Sequence, residues 1–414
     1  MNTKYISSEH IISTILVFIV LMIFPIFFQL DFLDPIQNTF QDLQITDIVF
    51  SRFRSPKKET VDNNIVLVNI GITRTEIAQQ IETINKYQPK VVGIDALFLK
   101  PKDNETDSIL EAAFAQTKNL VFVSKLVNYD NDAKNYQSCV TSIDRFNRYG
   151  SHGFANLIFD EKGNQTVREF KPVQKVEGTS IKEISVQIAE KFDQAATISF
   201  LARKKENEKI NYRRNIEKYI TLDIEDVLNE NSKLEVIRNK IVLLGYLGAN
   251  IKTKSSEDNF FTSMNRKYIG KTMPDMYGVV IHANKISMIL AYDYLSTTPY
   301  WFSILLAIAI VYLNMVLFSY FRRMSDRLYE SVNFVAVFIE LVLFLFGILS
   351  VFHLWGYEIE IAGGFFSIIF CPIAFELYHD TLNPIGKSIL VKLKARNDNT
   401  EQKSNSSDNS NYSQ

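Results

Sequence analysis

Sulfur and histidine are scarce in this sequence. Only two cysteines, Cys139 and Cys371, occur in 414 residues, so no disulfide framework can be built. Cys139 lies in the long middle region and Cys371 inside an apolar run, which keeps them from pairing. Cys139 is then either a small core residue or an exposed thiol. There is no CxxC, and the five histidines (10, 152, 282, 353 and 379) are scattered, so a structural zinc site is not expected. An excess of charge of one sign is lacking too: 45 Lys and Arg stand against 46 Asp and Glu. Without a broad basic field, nucleic-acid binding through counterion release is excluded. Catalytic signatures are missing as well, with no GxSxG, HExxH, Walker loop or GxGxxG in the chain. No catalytic residue, metal ligand set or cofactor is assigned.

Apolar runs, by contrast, are plentiful. Hydrophobic residues make up 47%, with 31 Phe and 19 Tyr, a bias that points to membrane content. Residues 11–30 carry no charge over a length that crosses the hydrocarbon core. A cleaved signal peptide is the rival reading. The run is long for one and no small-residue cleavage site follows, so an uncleaved anchor is preferred. Residues 301–321, 332–352 and 359–378 are three further spans; the last contains Gly363, Gly364 and Pro372, which membrane helices tolerate.

Basic residues in the short loops set the orientation. Arg322, Arg323 and Arg327 crowd the loop after the second span, and Lys387, Lys392, Lys394 and Arg396 follow the fourth. The loop 353–358 has neither Lys nor Arg. The positive-inside rule then places residues 1–10 and 379–414 in the cytoplasm and 31–300 outside the cytoplasmic membrane. Residues 397–414, nearly free of apolar side chains, are expected to be disordered, and 388–396 to form a basic helix at the inner leaflet.

The exterior region alternates strand and helix. IVLVNI (65–70), KVVGIDA (90–96) and NLVFVS (119–124) read as buried strands, with helices at about 75–87 and 108–116 between them. That spacing argues for right-handed crossovers and a mixed, largely parallel α/β sheet with flanking helices. Residues 31–53 read as an amphipathic extension of the first span and 52–64 as a linker. A hairpin is expected over 153–172, where Asp160 and Gly163 mark a turn, and a helix over 179–192. A short helix at 224–229 precedes the strand 241–244. Pro274 and Gly278 introduce a helix with a core-facing stripe of Val279, Ile281, Ala283, Ile286, Ile289 and Leu290, which leads into the second span.

Several separated blocks occur in a recognisable order. KIVLLG, an acidic loop ending Asp258 to Thr262, then Met273, Pro274, Gly278, His282, Ala283 and Asn284 resemble the type-two CHASE domain, an extracytoplasmic sensory module of bacterial receptors. Asp47, Asp95, Phe98, Asp107, Asn156, Asp160, Gly163, Arg168 and 210–212 extend the resemblance over roughly 47–295. The chain departs from it at Gly71, where the family usually has an acidic residue, and at Phe154, which replaces a histidine. Arg74 corresponds to an arginine of the family's first block. If these positions line a ligand pocket in relatives, the pocket here is changed or lost.

Asp95 ends a parallel strand, where open α/β sheets bind ligands; Asp258 follows another strand, and His282 starts a helix. Together they could hold a cation or move a proton. The plainer reading, which takes precedence, is that the aspartates cap helices or brace loops and His282 is a hydrogen-bonded core residue. The resemblance adds Thr262, Asn284 and Asn156 as ligand-binding positions. The run 203–214 (RKKENEKINYRR) reads as a solvated face. Glu340 and Asn314, near the middles of two spans, should meet, as structural glue or in coupling.

The resemblance implies an output module after the last span, such as a kinase or cyclase. The sequence leaves no room for one, so such activity in cis is not expected. The reading is a membrane sensor that is not an enzyme and relays a signal to a separate cytoplasmic or membrane signalling protein. Its partners are the lipid bilayer, a small-molecule or protein ligand outside, and a second copy in a homo-oligomer. The alternative is a docking subunit of a membrane complex with no small ligand.

Overall fold

The computed structural model describes residues 8–27, 45–54, 60–132, 135–159, 165–230, 232–253, 255–265, 273–324, 329–360, 362–389 and 391–392. The chain divides into two compact units, one of residues 33–295 and one of residues 1–32 with 296–414.

The first unit follows the alternation of its sequence. Strands β1 (Ile65–Asn69) and β2 (Val91–Ile94) are each followed by a helix, α1 (Arg74–Lys86) and α2 (Asn104–Ala115). Strands β3 (Leu120–Asp130), β4 (Asn135–Val140), β5 (Ser151–Phe154), β6 (Glu169–Phe170), β7 (Val173–Val176) and β8 (Thr179–Lys182) come next. Helices α3 (Ile184–Phe192) and α4 (Gln194–Leu201) lead to β9 (Glu208–Lys209) and β10 (Ile220–Leu222). The unit closes with α5 (Ile224–Leu228), β11 (Ile241–Gly245), β12 (Asn259–Phe260), β13 (Met276–Tyr277) and α6 (Gly278–Leu290).

Six strands run parallel in the order β10-β1-β11-β2-β3-β5, and β4 pairs antiparallel with the second half of β3. Every residue of β1 and β11 is buried, as expected of strands covered on both faces. In register, Val68, Leu244, Ile94 and Phe122 form one row across the sheet. Their face packs on Ile77 and Ile81 of α1 and on Leu110 and Phe114 of α2. Phe98, Phe114, Phe122 and Phe146 meet there at centroid distances of 4.9–5.8 Å. The opposite face carries α3 and α6: a Cβ on Gly93 would lie 2.6 Å from Ile188, and one on Gly245 2.7 Å from Val279. Glycine is needed at both because the helices sit directly on the strands.

Several expectations change. Strand β3 does not stop at residue 124 but runs to Asp130, with Leu126 turned inward and Lys125 outward. Residues 153–172 are not a hairpin among the described residues: Gly153 pairs in parallel with Val123, and Phe170 pairs with Glu208. Asp160 and Gly163 lie outside the described residues. The hairpin is β7–β8, closed by Glu177 and Gly178 at φ 50° and 80°, the left-handed pair that a two-residue turn requires. The helix expected from 179 therefore starts at Ile184. Helix α6 shows no single stripe, since every residue from Gly278 to Ile289 is buried. Residues 210–212, which resemble a strand of the family, form no strand here, although Tyr212 is fully buried.

The charged run at 203–214 is a solvated face only in part, with Lys204, Glu206 and Asn207 exposed. Glu208 is buried and paired with Arg203 at 2.8 Å. Arg203 also donates to the Leu295 carbonyl at 2.9 Å, Asn211 donates to the Asp293 carbonyl at 3.0 Å, and Arg213 pairs with the Asp293 carboxylate. These side chains fasten the segment by which the chain leaves the domain. Of the expected extension at 31–53, residues 45–53 are helical and belong to this unit, with Val49 and Phe50 buried.

Two positions of the family resemblance meet across the fold. Arg168 grips the Asp47 carboxylate through Nε (3.1 Å) and Nη2 (2.7 Å), both side chains buried. Arg74 pairs with buried Asp107 and donates to the Lys100 carbonyl. At Gly71 the amide donates to Gln80, and a Cβ would lie 2.8 Å from Cβ of Glu76. Glu76 is held there by a capping box with Thr73. A side chain at residue 71 is therefore blocked by the first turn of α1.

The second unit holds three helices long and apolar enough to cross a membrane: Tyr300–Met324, Tyr329–Trp355 and Gly363–Ile389. The last runs beyond the expected end at 378, through Pro372 and a π-helical turn at Leu377–Leu382. The expected first span, 11–30, is helical over Ser8–Phe27, within which Glu9–Ile23 counts as a shorter apolar helix, with 28–30 outside the described residues. Its Val17 packs against Val311, Met315, Phe318 and Phe375. Ser296–Thr297 pairs with Tyr357–Glu358 beside the ends of two long helices. Glu340 interacts with the Asn314 side chain, the expected partner.

Removing one partner of a buried ion pair leaves a buried charge, which costs about 3–5 kcal/mol. Asp47→Ala should lower the unfolding free energy of the full-length protein by that amount in denaturant titration, and Asp47→Ala with Arg168→Met should recover most of the loss.

Candidate ligand pocket

The carboxyl ends of β2 and β5 and the middle of β3 open onto one concavity. Asp95 follows β2, its amide bonded to the Leu244 carbonyl at 2.8 Å. Val123, Ser124 and Lys125 come from β3, and Ala155, Asn156, Leu157 and Phe159 follow β5. From the other side, the β12–β13 pair brings Asp258 and Phe260 to the first turn of α6. Asp258 takes φ 48°, a left-handed conformation that aspartate tolerates. Its carbonyl accepts from the Gly278 amide at 3.1 Å, and a Cβ on residue 278 would lie 3.0 Å from its Oδ2. Glycine at 278 lets the loop close over the helix. The open cleft so formed is about 450 Å³, with His282 in its wall.

Behind His282 lies a buried charge network. Glu183 caps α3, accepts from the Ser185 amide at 2.7 Å and pairs with Lys285 of α6 at 3.0 Å. Both side chains are 0% exposed. Nδ1 of His282 lies 3.2 Å from Glu183 Oε1 and 3.2 Å from Ser185 Oγ, and Nε2 faces Asp95 at 4.0 Å. Burial alone would raise the Glu183 carboxyl; Lys285 and the hydrogen bond from His282 outweigh it and hold the carboxyl down at about 2. Facing that carboxylate, Nδ1 of His282 carries a proton, an assignment from the network. Ser185, His282 and Asp95 superficially suggest a nucleophile, base and acid. Ser185 is fully buried and does not line the cavity, so its hydroxyl cannot reach a bound molecule.

Asp258 is shaped by different forces. Burial first, and then the charge of Asp95, push its carboxyl up to about 6, against relief from His282 and the Gly278 amide. Among the described residues no Lys or Arg lies within ion-pair distance of Asp95 or Asp258.

Four of the six residues expected to bind ligand come together: Asp95, Asp258, His282 and Asn156. Asn156 acts there as a brace, its amide accepting from the Leu126 amide (2.7 Å) and donating to the Leu126 carbonyl (2.9 Å). Thr262 and Asn284 do not line the cavity. Thr262 is buried against Asp275, to which its amide and hydroxyl both donate. Asn284 accepts from the amides of Arg213 and Arg214 and returns a bond to the Arg214 carbonyl. Both are short polar side chains that satisfy loop backbone. Sequence reasoning missed Glu183, Lys285, Ser124 and the Phe159–Phe260 wall. Only Lys285 carried a signal, as a lone cation three residues after His282 in an apolar helix.

A scan of family models matches the CHASE2 domain over residues 14–318. The chain therefore belongs to the CHASE2 family, a family of sensory domains. Comparison with curated proteins and with solved structures returns no match.

Lys285→Met strands Glu183 without its cation and should destabilise the full-length protein by about 3–5 kcal/mol in chemical unfolding. Asp258 and Asp275 have a second consequence, because both carboxyls are raised from 3.8 to about 6. The folded state holds these protons more tightly than the unfolded chain. Their contribution to stability is full below about pH 4 and is lost as pH rises through 6. Asp258→Asn should therefore raise the thermal midpoint at pH 7.5 and flatten, without abolishing, the fall between pH 4 and 6.

Proposed function

We propose that this chain is a membrane-anchored extracytoplasmic sensor without a catalytic step of its own. Occupancy of the pocket biases α6, and the apolar helices pass that bias to a separate cytoplasmic or membrane partner. One observation carries this reading: the helix that walls the pocket is also the one that leads out of the domain. Gly278 and His282 face the cavity, α6 ends at Leu290, and the next long helix starts at Tyr300. Between them the chain is fastened by Arg203, Asn211 and Arg213 to the domain. A displacement of α6 thus has little slack in which to dissipate. A ligand can drive it only through different affinities for two arrangements of the helix.

The orientation is supported by Arg322 and Arg323 in the last turn of Tyr300–Met324 and by Lys387 near the end of the third long helix. Positive charge there favours the cytoplasmic side, with the α/β domain outside.

The test uses the full chain in lipid nanodiscs and a library of small extracellular metabolites. A ligand at a hundred times its Kd should stabilise the protein by about 2.7 kcal/mol. Ala155→Trp, which fills the cavity, should abolish that gain and leave the unliganded midpoint near its wild-type value. A stoichiometric partner that co-purifies while no library member stabilises the protein would make the chain a docking subunit instead. In intact cells a membrane-impermeant thiol reagent should label half-exposed Cys139; protection of Cys139 there would overturn the orientation.

A further inference from the structure

We infer that the pocket takes a small organic cation, a protonated amine or guanidinium carried on an apolar body. This rests on the sensing reading above and names the chemistry of its ligand. Asp95 and Asp258 both line the cavity and, among the described residues, no Lys or Arg pairs with either. His282 offers the two acids only its Nε2, 4.0 Å from Asp95, because its Nδ1 is taken up by Glu183, which Lys285 also pairs. Lys125 also lines the cavity, but its side chain is exposed at the mouth.

A second observation points to an occupant independently of the acids. Ser124 is 1% exposed, lines the same cavity, and its hydroxyl has no hydrogen-bond partner. Buried hydroxyls are normally satisfied. A donor-bearing ligand between Ser124 and the two aspartates would complete all three.

The remaining wall selects the body of that ligand. Val123, Ala155, Leu157, Phe159 and Phe260 are apolar, and the two phenyl rings stand 6.0 Å apart at 35°. Aromatic faces attract an organic cation and offer nothing to a hydrated metal. Among the described residues no three His, Cys, Asp or Glu side chains are grouped to hold a metal ion, and a hard cation wants six or more oxygens. An anionic ligand would be repelled by both carboxylates.

Protonation of Asp258 near pH 6 removes one of the two charges. The groups that face it are Asp95 and His282, with Lys125 farther out and the neutralised Glu183–Lys285 pair behind His282. Cation binding should therefore strengthen as pH rises through 6.

The experiment measures thermal midpoints of the full chain in nanodiscs with matched probes: phenethylamine, neutral phenethyl alcohol, anionic phenylacetate, and calcium chloride. A panel of other amines from methylamine to spermidine covers ligand size. Amines alone should raise the midpoint at pH 7.5, with a smaller rise at pH 5. Asp95→Asn and Asp258→Asn should each weaken amine binding about tenfold or more, the loss of one charge-assisted hydrogen bond. Their unliganded midpoints report whether each variant is folded. The inference is overturned if no amine stabilises the protein, if phenylacetate or calcium stabilises it instead, or if both folded Asn variants bind amine as wild type does. Stabilisation by phenylacetate that Ala155→Trp abolishes would sink the cation and leave the sensor standing.

Discussion

A helix buried on every face has nowhere to hide a charge, yet α6 carries Lys285 at zero exposure. An unpaired ammonium in that position would shed its proton or break the packing. The fold therefore has to bring an anion to it, and Glu183 is that anion. Because Glu183 is also the cap of α3, the ion pair sets where α3 begins and locks it against α6. With both helices on one face of the sheet, the strands beneath them need bare backbone. Gly93 under Ile188 and Gly245 under Val279 meet that need. One buried pair thus organises a layer of the domain, and His282 is oriented by the same carboxylate.

The pocket inherits its rigidity from this arrangement. His282 cannot swing away from Glu183 without giving up a buried hydrogen bond, so the cavity wall it forms is held in place. Asp258, by contrast, is placed by a two-residue strand pair and a left-handed backbone, with no cation to anchor its carboxylate. The site therefore combines a fixed wall with an adjustable one. That division suits a receptor. A ligand that draws Asp258 toward Asp95 changes the contact between the loop and the first turn of α6, where Gly278 leaves no side chain as buffer. A hundredfold difference in affinity between two positions of that loop would supply about 2.7 kcal/mol.

Much of this was legible beforehand. Continuous apolar runs such as IVLVN and IVLLG with helical segments between them leave few options besides a parallel sheet. Asp95 was placed because strand ends in such sheets are where side chains leave the core. The rest depended on partners distant in sequence. Nothing local tells that Glu183 will meet Lys285, 102 residues away, or that Asp47 will meet Arg168, 121 residues away. The run at 203–214 misled for the same reason. Its charges look solvated until the exit segment at 293–295 arrives to accept them. Thr262 and Asn284 were read as ligand groups because short polar side chains in loops serve backbone and ligand alike.

The position where the chain departs from its family is informative for what it leaves untouched. Open α/β sheets offer their whole carboxyl edge to ligands, but half of that edge is filled here. Asn69, at the end of β1, donates to Asp223 and to the Gly248 carbonyl and accepts from the Leu247 amide. The loop after β11 is thereby drawn over the ends of β10, β1 and β11. Gly71 lies on this plugged side, close against Glu76, and contributes nothing to the cavity. An acidic side chain there would have to displace the first turn of α1 before it could face anything. The open half, at β2, β3 and β5, keeps its own acids, Asp95 and Asp258. Glycine at 71 thus falls at the filled end of the sheet and leaves the open end untouched.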